Sequence, residues 1–306
     1  MGIVLGARKV LSQLVELDGC DAIARQLGRQ FPDVEAAAAG AFGCLDYLFW
    51  GQSPKVPGVW IAGGVTQAGQ SVTGSGQFLN AALLSVAGEV AEAALRRADA
   101  AATDRSGTLG HGAHPDRALA GRHAAQEALE RYAVRSWWRC QRQGRIWQQD
   151  RLARAATQTG LIPTKARSWL VIEIPAKAGL SVLLVASFDA GDGQFCFGAA
   201  CRSDPIAAFH SAALELAQAE FGLAIARMKR DSGVPLTRDD DRTLHQAQHI
   251  RRADLVDRAS DSAAAPPDLP DPHLRLLGSF GDRIHIMEAL LSADEAAGLP
   301  TSADLY

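Results

Sequence analysis

Two short acidic clusters have the residue types and spacing for metal or phosphate chemistry. Ser85, Glu89 and Glu92 stand at i, i+4 and i+7, so a helix presents all three on one face. Further along, Glu127, Glu130 and Arg131 share a helical face in the same manner. The first face also carries Phe78, Ala81 and Ala82, and the second Ala120, Ala124, Val134 and Trp138. Carboxylates on such apolar or small-residue stripes need a partner, because burying an uncompensated charge is costly. A divalent cation is one candidate and a neighbouring arginine is another. Magnesium suits a set of carboxylates, since it prefers oxygen ligands and is commonly shared with substrate phosphates. These residues also leave open a solvated helix face, with a surface Glu–Arg pair worth under about 1 kcal/mol. Gly74-Ser75-Gly76 precedes the first cluster. A Gly-rich turn before a helix offers backbone N–H groups to a phosphate. No Gly-Lys-Ser/Thr follows it, so it is not a Walker loop.

The elements that must position these residues follow from period and punctuation. Two helices are expected in the first 50 residues, from about Val10 to Leu27 and from about Asp33 to Trp50. Val59 to Ala62 reads as a short buried strand. A long Ala/Leu helix then runs to about Asp99, a small-residue loop covers Ala100 to Pro115, and a second Ala-rich helix covers Arg117 to Arg142. Trp169–Ile174, Val182–Ala186 and Phe195–Phe197 read as an antiparallel meander. Asp204-Pro205 opens a helix to about Lys229, and a charged helix follows near Arg238 to Arg258. Ser260 to Pro272 is a Pro-rich linker, with a strand near Arg283 to Met287 beyond it. No fixed-period repeat is visible. The class is mixed α and β. The chain reads as a single domain over 1–306, comprising a helical segment 1–56, a core 57–258, a linker 259–272 and a C-terminal segment 273–306.

Composition removes several function classes. The net charge of −3 provides no basic field for nucleic acid or an anionic membrane. No apolar run approaches the roughly 18–20 residues of a membrane span, and the first ten residues contain no signal-peptide pattern, so the chain reads as cytoplasmic. Its five cysteines include no Cys-x-x-Cys pair, which favours neither a disulfide framework nor zinc. His245 and His249 share a helix face but have no third ligand in sequence reach.

The ordered motifs resemble one family. Gly74-Ser75-Gly76 followed by Ala81, Ser85, Glu89 and Glu92 is similar to the first YcaO signature, a Gly-rich turn before Ser-x-x-x-Glu-x-x-Glu. Glu127-Ala128-Leu129-Glu130-Arg131, ending in Trp137-Trp138, resembles the second. Gly198-Ala199-Ala200, Asp204-Pro205, Ala207-Ala208 and Glu215-x-x-Gln218 resemble the third. The resemblance implies a YcaO-like fold with an ATP site between the motif-bearing helices and adjacent sheets. It implies Glu89, Glu92, Glu127 and Glu130 as Mg2+ ligands, Arg131 as the catalytic residue near the phosphates, and Ser85, Gly74, Gly76 and Gln218 at the nucleotide. The implied activity is ATP/Mg-dependent phosphorylation of backbone amides in a ribosomally made precursor peptide, giving azoline or thioamide. A leader-peptide-binding or other maturation protein is the implied partner, and a homo-oligomer is compatible with it.

The chain departs from the family pattern at three points. Ser75 stands where a lysine is common, Leu119 where a further glutamate is usual, and His111-Gly112 where Asn-Gly is usual. The C-terminus also lacks the Pro-x-Pro-x-Pro tail of azoline-forming members. These departures keep a second reading in view, a non-catalytic YcaO-like scaffold subunit of a peptide-modifying complex.

Overall fold

The computed structural model describes residues 15–16, 40–98, 109–140, 144–177, 179–190, 194–260, 271–280 and 284–291. Strands β1 (Val15–Glu16), β2 (Leu45–Gln52), β3 (Trp60–Thr66) and β4 (Ser71–Gly76) make a four-stranded antiparallel sheet in that order. Helix α1 (Leu79–Ala98), strand β5 (Leu109–His114) and helix α2 (Arg117–Cys140) follow. Strand β6 (Gly144–Ile146) and helix α3 (Gln149–Thr159) lead into the meander β7 (Arg167–Ile174), β8 (Ser181–Asp189) and β9 (Phe195–Arg202). Helices α4 (Pro205–Asp231), α5 (Arg238–His249) and α6 (Arg252–Asp257) precede β10 (Ala259–Ser260), β11 (His273–Phe280) and β12 (Ile284–Leu290). β10 pairs with β6 at one end of a five-stranded sheet, β10-β6-β7-β8-β9, while β11, β12 and β5 form a three-stranded sheet.

Sheets and helices alternate around a closed ring. The meander strands are apolar on both faces, as expected of strands covered on both sides. Trp169, Val171, Leu183, Val185, Cys196 and Ala200 face one core with α4, while residues such as Leu170, Ile172, Leu184 and Ala199 face a second core with α2. The far side of α4 meets the four-stranded sheet, where Phe221 packs against Phe49 with ring centroids 5.6 Å apart. The far side of α2 meets β5 and β12 of the three-stranded sheet. Helix α1 closes the ring, with Val86 and Val90 on the four-stranded sheet and Ala91 and Leu95 against Ile284 and Ile286.

Three strand–helix units build this ring: β4 then α1, β5 then α2, and β9 then α4, each joined by two residues. In each unit the helix lies directly on a strand glycine. A Cβ at Gly74 would stand 2.6 Å from the carbonyl oxygen of Ala82 and 2.7 Å from the nitrogen of Val86. Gly110 meets Ala124 and Ala128 backbone in the same way, and Gly198 meets Ala212 and Leu216. The strands end at open sheet edges, so the three units bring β4, β5 and β9 together as unpaired edges. By contrast, Gly222 within α4 meets nothing within 4 Å of a built Cβ. Gly222→Ala should therefore raise stability by about 0.5–1 kcal/mol through a better helix propensity and a less flexible unfolded chain. A denaturant melt showing no gain would mean that α4 is not regular there.

Several sequence expectations change. Gly74-Ser75-Gly76 is the end of strand β4, paired with β3, and its glycines serve helix packing instead of forming a phosphate turn. The helix expected to reach Trp50 ends by residue 42, and β2 begins at Leu45; residues 33–39 lie outside the described residues. Val15–Glu16, expected in a helix, pairs with β2, so segment 1–56 is not wholly helical. The expected loop over 100–115 contains β5, whose glycines hide its strand character because they exist to seat α2. The charged helix is interrupted at Ile250–Arg251. Most of the expected linker, 261–270, lies outside the described residues, but its first residues form β10.

Candidate functional site

The open edges of β5 and β9 are each capped by a glutamate from the helix that follows. The His111 backbone N–H donates to Glu127 Oε2 at 2.7 Å, and the Ala199 N–H donates to Glu215 Oε2 at 3.1 Å. Both bonds span sixteen residues and follow from the same seating of helix on strand glycine. The third unit has Ser85 at the equivalent position, three residues after Ala82 as Glu127 is after Ala124 and Glu215 after Ala212. A repeated local geometry thus places two carboxylates and one hydroxyl around the junction of three sheets.

The carboxylates converge. Glu215 is pushed up to about 7, first by the protein packed round it and then by the negative charges of Glu127 and Glu89, against the Ala199 N–H and Arg202. Its side chain nevertheless remains open to water, as does Glu89, so the crevice is solvated and these charges are partly screened. Glu89 from α1 and Glu127 from α2 therefore both lie within electrostatic reach of Glu215 on α4. Glu130 is buried beside Cys201, whose thiol is pushed up to about 12 by burial and then by that carboxylate. Glu92 is half-buried on α1. Among the described residues no three His, Cys, Asp or Glu side chains are gathered closely enough to hold a metal ion alone.

The remaining expected residues take varied places. Arg131 is paired with Glu127 one turn away and donates Nη1 to the Leu109 carbonyl at 2.7 Å. Gln218 Nε2 donates to Ser75 Oγ at 2.9 Å, and that hydroxyl donates to the Leu214 carbonyl at 3.0 Å, so both tie α4 to β4. Ser85 is half-buried, while Gly74 and Gly76 lie under α1. On α2 Ala120, Ala124 and Val134 are buried as expected and Trp138 is half-buried, but Phe78, just before α1, and Ala81 on it are exposed. Glu215 was missed as a site residue. Its signal in the sequence is the spacing from Gly198, which equals that from Gly110 to Glu127.

The raised Glu215 carries a pH prediction. The native state binds its proton more tightly than the unfolded chain, where glutamate titrates near 4.5. Stability therefore declines as pH rises from about 4.5 towards about 7, over which Glu215 ionises in the folded protein. Glu215→Gln keeps the Ala199 bond and removes this loss. Relative to wild type it should gain melting temperature as pH rises from about 4.5 to about 7 and level off above that, and a constant difference would remove Glu215 from the carboxylate set.

A family model for YcaO cyclodehydratase, ATP- and Mg2+-binding, matches residues 77–301. The chain belongs to the YcaO family, and ATP and Mg2+ are the cofactors of that family. The structure of YcaO from Methanopyrus kandleri bound with AMPPCP and Mg2+ is similar in fold, with a TM-score of 0.55 and 13% identity over 87% of this chain and 90% of that one. A heterocyclase in complex with substrate and cofactor matches at a TM-score of 0.43 and 13% identity, over 60% of this chain and 27% of that one. The heterocyclase TruD matches at 0.40 and 16%, over 60% and 28%. This chain thus matches little more than a quarter of either heterocyclase. No curated protein matches it in sequence.

The donor set fits the family's cofactors. Hard carboxylate oxygens are the donor type that magnesium prefers, and it is usually bound by one or two carboxylates together with phosphate and water oxygens. A cation in the crevice would also relieve the mutual repulsion that raises Glu215.

Proposed function

We propose that this protein is an ATP-dependent cyclodehydratase that activates backbone amides of a ribosomally made precursor peptide, working with a protein that presents the peptide. The observation that carries this reading is the meeting of Glu89, Glu127 and Glu215, from three separate helices, at one solvated junction of sheet edges. A scaffold has no physical need to hold like charges together. Bound ATP–Mg2+ supplies a phosphoryl group that turns the amide oxygen from a poor leaving group into a good one. A Cys, Ser or Thr side chain of the peptide adds to the preceding amide carbon and loses its proton. The former carbonyl oxygen would take the terminal phosphoryl with release of ADP, and loss of phosphate carrying that oxygen together with the amide N–H proton would leave the C=N of the azoline. External sulfide in place of the side chain leads to a thioamide.

In this reading Glu89, Glu127 and Glu215 hold the cation, with Glu92 and Glu130 on the same helices as further candidates. Arg131 orients Glu127 through their ion pair and is a positioning residue, in contrast to the catalytic role expected of it. Gln218 and Ser75 hold α4 to β4 and so fix the distance between Glu215 and Glu89. The alternating ring of sheets and helices supports treating the described residues as one domain.

Mass spectrometry of the precursor peptide, incubated with this protein, its presenting partner and ATP–Mg2+, tests the proposal. Loss of one water per modified residue is expected for azolines, and exchange of oxygen for sulfur for a thioamide. The scaffold reading has one observation of its own. Ser75 is spent on bonds to Leu214 and Gln218, at a position where a lysine is common in the family. No ATP–Mg2+ binding by the wild type with its partner present would put that reading first.

A further inference from the structure

We propose that the groove between α3 and the corner of α5 and α6 docks an extended segment of the precursor peptide, outside its modified residues, in which apolar and acidic side chains alternate. This rests on the peptide-substrate reading above. Two cavities of about 430 and 470 Å³ adjoin there. Arg252 lines both, and the cross-strand neighbours Ser168 and Phe188 line one each. The first cavity has an apolar wall: Leu152, Ala153 and Ala156 recur at helical spacing on α3, and Ile162 stands 57% exposed beside Pro163. Trp169 lines the same cavity at 4% exposure, and among the described residues its indole N–H, a donor only, has no acceptor. A buried donor in that state is costly, and a peptide carbonyl reaching it relieves the cost.

The rim supplies the opposite chemistry. Arg251 and Arg252 are exposed at the second cavity, and among the described residues neither guanidinium has an ion pair. Asp254 accepts from the Arg251 backbone N–H at 2.7 Å instead. Arg167, in the first cavity, is balanced by Glu220 at 2.7 Å and Asp189 at 3.5 Å. No described Asp or Glu lines either cavity, so the groove is locally positive in a chain of net charge −3. The overall negative charge opposes a nucleic acid, whereas a short acidic peptide answers the local field. Successive side chains of an extended peptide point to opposite sides, so alternation sends one set to the apolar wall and the other to the arginines. The position suits a substrate. Gln194 lines the second cavity, and Ala199, five residues on, donates to Glu215. At about 3.3 Å per residue the groove opens roughly 16 Å from the carboxylates, which about five extended residues span.

Fluorescence anisotropy of a labelled octapeptide of alternating Leu and Asp measures docking on the full chain, with a Leu/Lys octapeptide as control and Arg251→Gln/Arg252→Gln as the variant. Both arginines are exposed, so the variant folds. The Leu/Asp peptide should bind the wild type and lose roughly 10-fold or more in the variant, and the Leu/Lys peptide should not bind. The indole signal of Trp169, assigned in 15N-tryptophan-labelled protein by its loss in Trp169→Phe, should shift with the Leu/Asp peptide. In turnover the variant should raise KM for the precursor roughly 10-fold, with kcat and ATP–Mg2+ affinity unchanged. No binding of the Leu/Asp peptide, equal binding by the variant, or a fall in kcat at constant KM would overturn the groove. So would tighter binding of octauridylate than of the Leu/Asp peptide, which marks a nucleic-acid site, or a wild-type dimer that the variant abolishes. If the wild type does not modify the precursor, the cyclodehydratase reading falls, and anisotropy of the labelled precursor without ATP carries the test. Weaker precursor binding by the variant then supports the groove, and equal binding overturns it.

Discussion

Replacing Glu127 by glutamine should yield a folded protein whose affinity for ATP–Mg2+ is lower by roughly 100-fold or more, with peptide-dependent ATP hydrolysis lost. The amide retains an oxygen to accept the His111 N–H, so the seating of α2 on β5 survives. What disappears is one of the three charges that converge in the crevice. The partner left behind, Arg131, keeps its bond to the Leu109 carbonyl and is partly solvated, at 28% exposure of its side chain. Breaking this i,i+4 pair therefore costs about 1 kcal/mol or less. Removing the Glu127 charge also lowers the proton affinity of Glu215, which offsets part of that cost. Titration of ATP–Mg2+ into wild type and variant, paired with thermal melts, separates two roles. A lower melting temperature with unchanged affinity would make Glu127 a structural ion-pair residue and would dissolve the proposed cation site.

Gly110→Ala should have the largest effect on stability. A Cβ there falls deep inside contact distance of the Ala124 carbonyl and the Ala128 nitrogen, which are helix backbone atoms with no rotamer to yield. Overpacking of this kind costs about 3 kcal/mol or more, a fall of roughly 5 °C or more in melting temperature for a chain of this size. The displaced helix carries Glu127 with it, so the His111–Glu127 bond and the convergence on Glu215 should be lost together. Gly198→Ala should behave alike through Ala212 and Leu216. A Gly110→Ala protein that melts like wild type would show that α2 is not seated on this glycine, and the placement of Glu127 would fall with it.

Much of this was legible in the chain because local physics carried it. Apolar runs bounded by Gly and Asp marked the β7–β9 meander, and Asp204-Pro205 marked the start of α4, where the Asp204 side chain accepts from Ala207 N. The helical spacing of Ser85 and Glu89, and of Glu127 and Glu130, gave two of the helices that supply the crevice. The ordered motifs carried the family, because those residue types recur in a fixed order along the chain.

Other features were not local and could not be read that way. Gly74-Ser75-Gly76 and Gly110-His111-Gly112 look like turns in a linear string, because glycine weakens strand propensity; only the approach of α1 and α2 shows that they are strands stripped of side chains to admit a helix. The threefold strand–helix plan leaves no fixed period, since the intervening segments differ in length while the contact geometry repeats. Glu215 became a site residue only when β9 placed its free N–H under it and the ring brought α1 and α2 alongside. The sequence by itself determined the two motif helices α1 and α2, the start of α4, the meander and the family. The tertiary structure alone decided which carboxylates meet, because their meeting depends on which sheet edges remain unpaired and on helices lying on glycine at three distant points of the chain.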